Sequence, residues 1–226
     1  MAHKAATRKK GRQRRRWWRS RRFWRRVVSA TAALVVVGLL GFLVVYLGGG
    51  EPEREPVGEQ LSEAAPPFAL PTIDGDTFSS ADHLGQHALL LFINEGLGCG
   101  PCFDQIVDLE KDWERFEELD VQLVSIMVDP VEALEPEVED REITTVVAVD
   151  EDKTVSKTYD AMEASMHPGV RPGHTFVLVD KTGQMIWRVD WLAGEMSGGQ
   201  MYLDVAEVYR AVSSALARTA AEGVGG

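Results

Sequence analysis

The run His87-Ala88-Leu89-Leu90-Leu91-Phe92-Ile93-Asn94 constrains this chain more than any other segment. It is apolar, strand-length and continuous, without the alternation of a strand that faces water on one side. Such a strand belongs in a sheet covered on both faces, as parallel sheets are. A turn follows at Gly96-Leu97-Gly98. After it Ile106, Leu109, Trp113 and Phe116 recur at helical spacing up to Leu119, with acids between them. Val121–Val128 (VQLVSIMV) is a second strand of the buried type. Residues 87–128 therefore read as a βαβ unit with a right-handed crossover.

The flanking segments extend this unit. Asp74-Gly75 is a hairpin turn signal before Thr77-Phe78, and a short helix is expected at Ser79–Leu84. Between Asp129 and Glu142 stand seven acids and one base, Arg141, which reads as an exposed acidic connection. Thr144–Val149 is expected as a third strand, and Asp152–Tyr159 as a short helix capped by Asp150 or Asp152. Thr175–Val179 and Met185–Trp191 flank Asp180-Lys181-Thr182-Gly183 and read as a hairpin, with Trp187 and Trp191 in the core. The last helix carries Val205, Val208, Tyr209, Val212 and Leu216 on one stripe. The order β-α-β, β-α, β-β-α predicts an α/β sandwich around a mixed central sheet.

Charge divides the chain sharply. Residues 1–50 hold 13 of the 24 Lys and Arg and no acid, leaving 11 bases against all 35 acids in residues 51–226. A body of formal charge −24 repels a phosphate backbone, so it is not expected to bind nucleic acid. Val27–Leu47 runs 21 residues without a charge, enough for one helix to cross a bilayer. The arginine-rich flank, with Trp17, Trp18, Phe23 and Trp24, holds the amino terminus on the cytoplasmic side and meets anionic lipid headgroups. A cleaved signal peptide is the competing reading, but its apolar core is usually only about 7–15 residues. The expected organisation is a basic cytoplasmic arm (1–26), a transmembrane helix (27–47) and a flexible tether (48–63). A folded domain outside the cytoplasm (64–218) and a short tail (219–226) complete it. The expected location is thus the cell membrane, single-pass.

Both cysteines of the chain lie in Cys99-Gly100-Pro101-Cys102, where the buried strand hands over to the helix. Free N–H groups and the helix dipole at that place stabilise an anionic sulfur. Lowering a thiol pKa from ~8.5 to ~7 turns a few per cent of thiolate at neutral pH into about half. That makes Cys99 the nucleophile. Cys102, one turn on and more covered, suits a resolving thiol. Pro101 is tolerated in a first turn because its missing N–H has no intrahelical partner there. Two bland readings compete. A staple closing so short a loop restrains the unfolded chain by only ~2 kcal/mol. Half a zinc site would need nitrogen ligands such as His83 and His87.

These residues resemble the thioredoxin-like superfamily, and within it the extracytoplasmic redoxins: TlpA-like thiol-disulfide reductases related to AhpC/TSA peroxiredoxins. The likeness covers about residues 61–217 and rests on several segments. They are Ala65-Pro66-Pro67-Phe68-Ala69-Leu70, Asp74-Gly75, Leu84-Gly85 with the Leu89–Asn94 strand, the cysteine motif, and Thr175-Phe176-Val177-Leu178-Val179-Asp180 with Gly183. The resemblance implies a thioredoxin-like α/β sandwich in which Cys99 attacks and Cys102 resolves, with no cofactor or metal. It also implies protein disulfides as substrates and a membrane protein as electron donor. The chain departs from the pattern in places. Gly98 stands where thioredoxins carry Trp, and Glu95 is the acid nearest the place of the family's buried strand carboxylate. The family's cis-proline precedes its Thr-Phe strand, so the substrate loop falls at Pro172, Gly173, His174 and Thr175. Phe92 and Gly96 occupy the places of Pro and Thr in the peroxiredoxin Pro-x-x-x-Thr-x-x-Cys loop.

The expected function is a membrane-tethered, outward-facing thiol-disulfide oxidoreductase. A reductase is favoured because thioredoxin, with the same Gly-Pro dipeptide, lies near about −270 mV, against about −120 mV for DsbA. One alternative is thiol-dependent peroxide removal. Another is Cu(I) delivery by Cys99, Cys102 and His174, since soft thiolates select that ion.

Overall fold

In a computed structural model of the chain, which describes residues 57–165, 167–190 and 201–223, the apolar run lies within a six-stranded sheet. The strands in chain order are β1 (Glu59–Ala64), β2 (Ala69–Pro71), β3 (Thr77–Ser79), β4 (Ala88–Ile93), β5 (Val121–Met127), β6 (Val146–Val149), β7 (Thr175–Val179) and β8 (Gln184–Asp190). The helices are α1 (Gly100–Lys111), α2 (Trp113–Glu117), α3 (Val131–Asp140), α4 (Thr154–Thr158) and α5 (Val205–Gly223), with a 3-10 turn at Ser80–His83.

The sheet order is β1-β8-β7-β4-β5-β6. β4, β5 and β6 run parallel, whereas β7, β8 and β1 join by antiparallel pairing. β2 and β3 form a separate hairpin through the Asp74-Gly75 turn, and Thr72 bridges from it to Ala148 of β6. This is the thioredoxin-like α/β arrangement with a mixed central sheet.

The alternation hidden in β4 is now visible. Ala88, Leu90 and Phe92 pack on one face with Phe103, Ile106 and Leu109 of α1 and Val208 and Val212 of α5. Leu89, Leu91 and Ile93 pack on the other with Leu70, Phe78, Val155 and Tyr159. Every β4 side chain is buried because both faces are covered, which is why the sequence showed no period of two.

Several expectations are corrected. The acidic stretch after β5 is α3, a helix, because Leu134 and Val138 fall four residues apart and reach the core while the acids face out. Strand β1 begins at Glu59, so the end of the expected tether belongs to the sheet; its residues are mostly exposed, which leaves it without an apolar signature. α5 continues to Gly223, inside the expected tail. The long helix to Leu119 breaks at Asp112 into α1 and α2. Both proposed caps of α4 act: Asp150 accepts from the Val155 and Ser156 amides, and Asp152 from Thr154. The arm 1–26, the apolar segment 27–47, residues 48–56 and Trp191 lie outside the described residues. Among the described residues no helix is long and apolar enough to cross a membrane.

Candidate active site

The chain leaves β4 at Ile93 and reaches α1 seven residues later. Between them Gly96 has φ +70° and Gly98 φ +91°, left-handed conformations that suit glycine. At Gly96 there is a second reason: a Cβ there would overlap the Asp129 carboxylate. Asn94 helps to shape the same turn by accepting the Gly96 amide at 2.9 Å.

Cys99 is the N-cap of α1, and its Sγ accepts the Cys102 amide at 3.2 Å. No acid stands in the first turn of this helix, so its positive end is not offset locally. Gly100 and Pro101 are exposed on the outer side of the turn. Cys99 and Cys102 are joined as a disulfide with Cα atoms 5.3 Å apart. Cys99 is 4% exposed and Cys102 0%, so the order of accessibility follows the sequence expectation.

The substrate-loop candidates are all buried, but they do different things. Gly173 fits because a Cβ there would overlap the Ala164 carbonyl, and its amide donates to Ala161 O at 2.7 Å. Thr175 opens β7 opposite Ile93 and donates its hydroxyl to Asp190 at 2.7 Å, a bond within the sheet. His174 is the member that faces the cysteines. Its Nδ1 stands 3.8 Å from Cys102 Sγ, and its ring meets Phe92 edge-on at 4.5 Å and Phe176 at 5.7 Å. Burial in this aromatic cage lowers its pKa from 6.5 to about 3, so the ring is neutral. His174 thus fills the place directly before the Thr-Phe strand, and every described peptide bond is trans.

Glu95 does not turn to the sulfurs. Its carboxylate accepts from Ser165 Oγ at 3.4 Å and lies 3.7 Å from His167 Nδ1. Its carbonyl accepts from Arg171, whose guanidinium also forks onto Asp129. Asp129 Oδ2 in turn accepts the Leu97 amide at 2.7 Å, tying the loop before Cys99 to the end of β5. Sequence reasoning did not find this clamp. Its one signal was an acid directly after a buried strand, at the same end of the sheet as Asn94-Glu95. The zinc reading loses its nitrogen ligands, because His83 stacks on Phe78 and His87 pairs with Asp120 at 2.6 Å.

A model of the AhpC/TSA family matches residues 61–188, more than half of the chain. The chain belongs to the AhpC/TSA family. No curated protein matches this AhpC/TSA member. Solved structures do. The peroxidoxin BcpB from Mycobacterium tuberculosis is 17% identical with a TM-score of 0.57, covering 70% of this chain and 97% of its own. A 1-Cys peroxiredoxin from yeast mitochondria is 20% identical with a TM-score of 0.60, over 73% and 79%. A protein described as the thiol:disulfide interchange protein DsbE from Chlorobium tepidum is 18% identical with a TM-score of 0.53, over 69% and 97%. At these identities the likeness fixes the thioredoxin-like fold. With the family membership, it makes this AhpC/TSA protein a thiol oxidoreductase.

Proposed function

We propose that this protein is a membrane-anchored, extracytoplasmic thiol-disulfide reductase in which Cys99 attacks protein disulfides and Cys102 resolves the mixed disulfide. The carrying observation is the Cys99–Cys102 pair at the start of α1, one sulfur at the N-cap and the other sealed beneath it. The cycle needs no bound cofactor or metal. Electrons then have to come from another dithiol, which for an outward-facing domain is a membrane protein. The uncharged segment 27–47 behind its arginine-rich arm supports the anchor and a place in the lipid bilayer. The DsbE-described structure is consistent with disulfide exchange.

Thiol-dependent peroxide removal is the second reading, favoured by the family match and by the peroxiredoxins of similar fold. Against it, Phe92 and Gly96 stand where the peroxide-reducing loop carries Pro and Thr.

Replacing Cys102 with Ser and capturing mixed disulfides from intact cells tests the reductase reading. Protein adducts on Cys99 are expected, labelled by reagents that do not cross membranes. Absence of adducts, together with peroxide consumption abolished by Cys99→Ser, would establish the peroxidase instead. Retention of Cu(I) by the reduced protein against a chelator, through Cys99, Cys102 and His174, would point to metal delivery.

A further inference from the structure

Resolution of a mixed disulfide requires a thiolate at Cys102, and Cys102 is fully buried. Something must take its proton, since a thiol in apolar surroundings ionises less readily than a free one. Glu95 is not placed for this task, because its carboxylate is turned to Ser165 and His167. Asp129 is held by Arg171 and the Leu97 amide. Among the described residues, the titratable group that meets Cys102 is His174, with Nδ1 at 3.8 Å. The faces around its ring come from Phe92 of β4, Phe176 of β7 and Cys102 of α1, so no charged side chain of these elements presses on it.

We propose that His174 is the general base for Cys102, taking the thiol proton on Nδ1 as the sulfur attacks the mixed disulfide at Cys99. The inference rests on the dithiol reading above and deepens it. The step balances as follows. Reduced Cys99 has already displaced one substrate thiol and is bonded to the other substrate sulfur. The Cys102 S–H proton passes to His174, and the Cys102 electron pair forms the bond to Cys99 Sγ. The bond from Cys99 to substrate breaks, and the substrate leaves as a thiolate that takes a proton. The protein couple is oxidised by two electrons and the substrate disulfide is reduced by two.

Two further observations agree. His174 Nε2 is buried without a hydrogen-bond partner among the described residues, so no second bond locks the proton onto Nδ1. Burial keeps the ring neutral when the sulfurs are joined and disfavours its charged form, so the ring takes the proton only as a thiolate forms beside it. A thiolate forming beside it then stabilises the imidazolium, because an opposite charge at close range favours the charged form.

The test follows the single turnover of the full chain, reduced and in detergent, with a fluorescent disulfide peptide. Samples quenched in acid and alkylated between pH 6 and pH 9.5 separate formation of the Cys99 mixed disulfide from its resolution. In His174→Phe, resolution at pH 7 is expected to slow by roughly 10²-fold or more, the gap closing toward pH 9.5 as solvent ionises the thiol. His174→Asn, which keeps a polar atom near the place of Nδ1 but no base, should behave like the Phe variant. Resolution in both variants that overlays the wild type at every pH would overturn the assignment, as would full recovery of the rate by Asn. A wild type that forms no mixed disulfide would overturn the dithiol reading itself.

Discussion

Arg171 and Asp129 form a two-pronged ion pair, Nη1 to Oδ2 at 2.9 Å and Nη2 to Oδ1 at 2.8 Å, across 42 positions of sequence. The pair fastens the loop between β7 and its predecessors to the end of β5, and through Leu97 to the turn that presents Cys99. The hydrogen bonds to Asp129 also hold the Arg171 guanidinium pKa above its ordinary value. Removing the fork in Arg171→Met leaves a nearly buried carboxylate without its cation, at a cost of about 1–3 kcal/mol. Arg171→Lys should recover only part of that, since an ammonium cannot reproduce the fork. Urea midpoints of the three proteins check the order. A Lys variant as stable as the wild type would mean that charge alone holds the loop.

Gly96 and Gly98 both have positive φ, yet they should respond differently to alanine. At Gly98 nothing lies near the place of a Cβ, so Gly98→Ala meets backbone strain alone, about 1 kcal/mol. At Gly96 the added methyl runs into Asp129, so Gly96→Ala adds displacement of the carboxylate that Arg171 and Leu97 share. A further loss of about 1–2 kcal/mol is expected from those disturbed hydrogen bonds. Thermal denaturation of the pair decides the matter, and equal losses would show that the turn yields without disturbing Asp129.

The disulfide should contribute little to stability, as the proposed turnover requires. Its loop is so short that the entropic gain is only about 2 kcal/mol. Reduction removes that, and the N-cap sulfur stays placed at the start of α1, where it accepts the Cys102 amide in the oxidised protein. Oxidised and reduced protein should therefore differ by about 2 kcal/mol or less in denaturant titration. A gap of twice that size would make the pair a structural staple.

How much of this was legible in the sequence depended on where the physics is local. β4, the turn and α1 were readable because burial on both faces writes an unbroken apolar run, and the cysteine spacing marks the hand-over to the helix. The β7–β8 hairpin was readable from its Gly-containing turn, where Asp180 accepts the Thr182 and Gln184 amides. α3 was not, because only Leu134 and Val138 reach the core and Pro136 stands inside the helix. β1 was missed because an edge strand whose residues are mostly exposed carries no apolar pattern. In the site, the cysteines were plain, and the family resemblance set His174 in the substrate loop and among the candidate Cu(I) ligands; only its contact with Cys102 was not legible. Its partner is 72 positions away, and local residues around Pro172-Gly173-His174 do not say which sulfur its ring will meet; only the resemblance placed it near the pair.

The same histidine makes stability depend on pH in a defined window. Its folded pKa, about 3, lies below the unfolded value of 6.5 because burial disfavours the charged ring. Between those values the unfolded chain binds a proton that the folded one does not, so stability rises with pH there. The contribution is fully present above about pH 6.5 and is lost as pH falls toward about 3. Between pH 7 and pH 4.5 the loss from this group amounts to about 2–3 kcal/mol. Carboxylates such as Asp108, whose pKa is lowered by hydrogen bonds from Lys111 and Tyr202, add to acid destabilisation. The comparison therefore has to be made against His174→Phe, which keeps those groups and removes the buried imidazole. Urea midpoints measured at pH 7 and pH 4.5 should fall less in the Phe variant than in the wild type. Equal falls would mean that the imidazole is protonated in the folded protein, reaching water or a partner that its cage of Phe92, Phe176 and Cys102 does not supply.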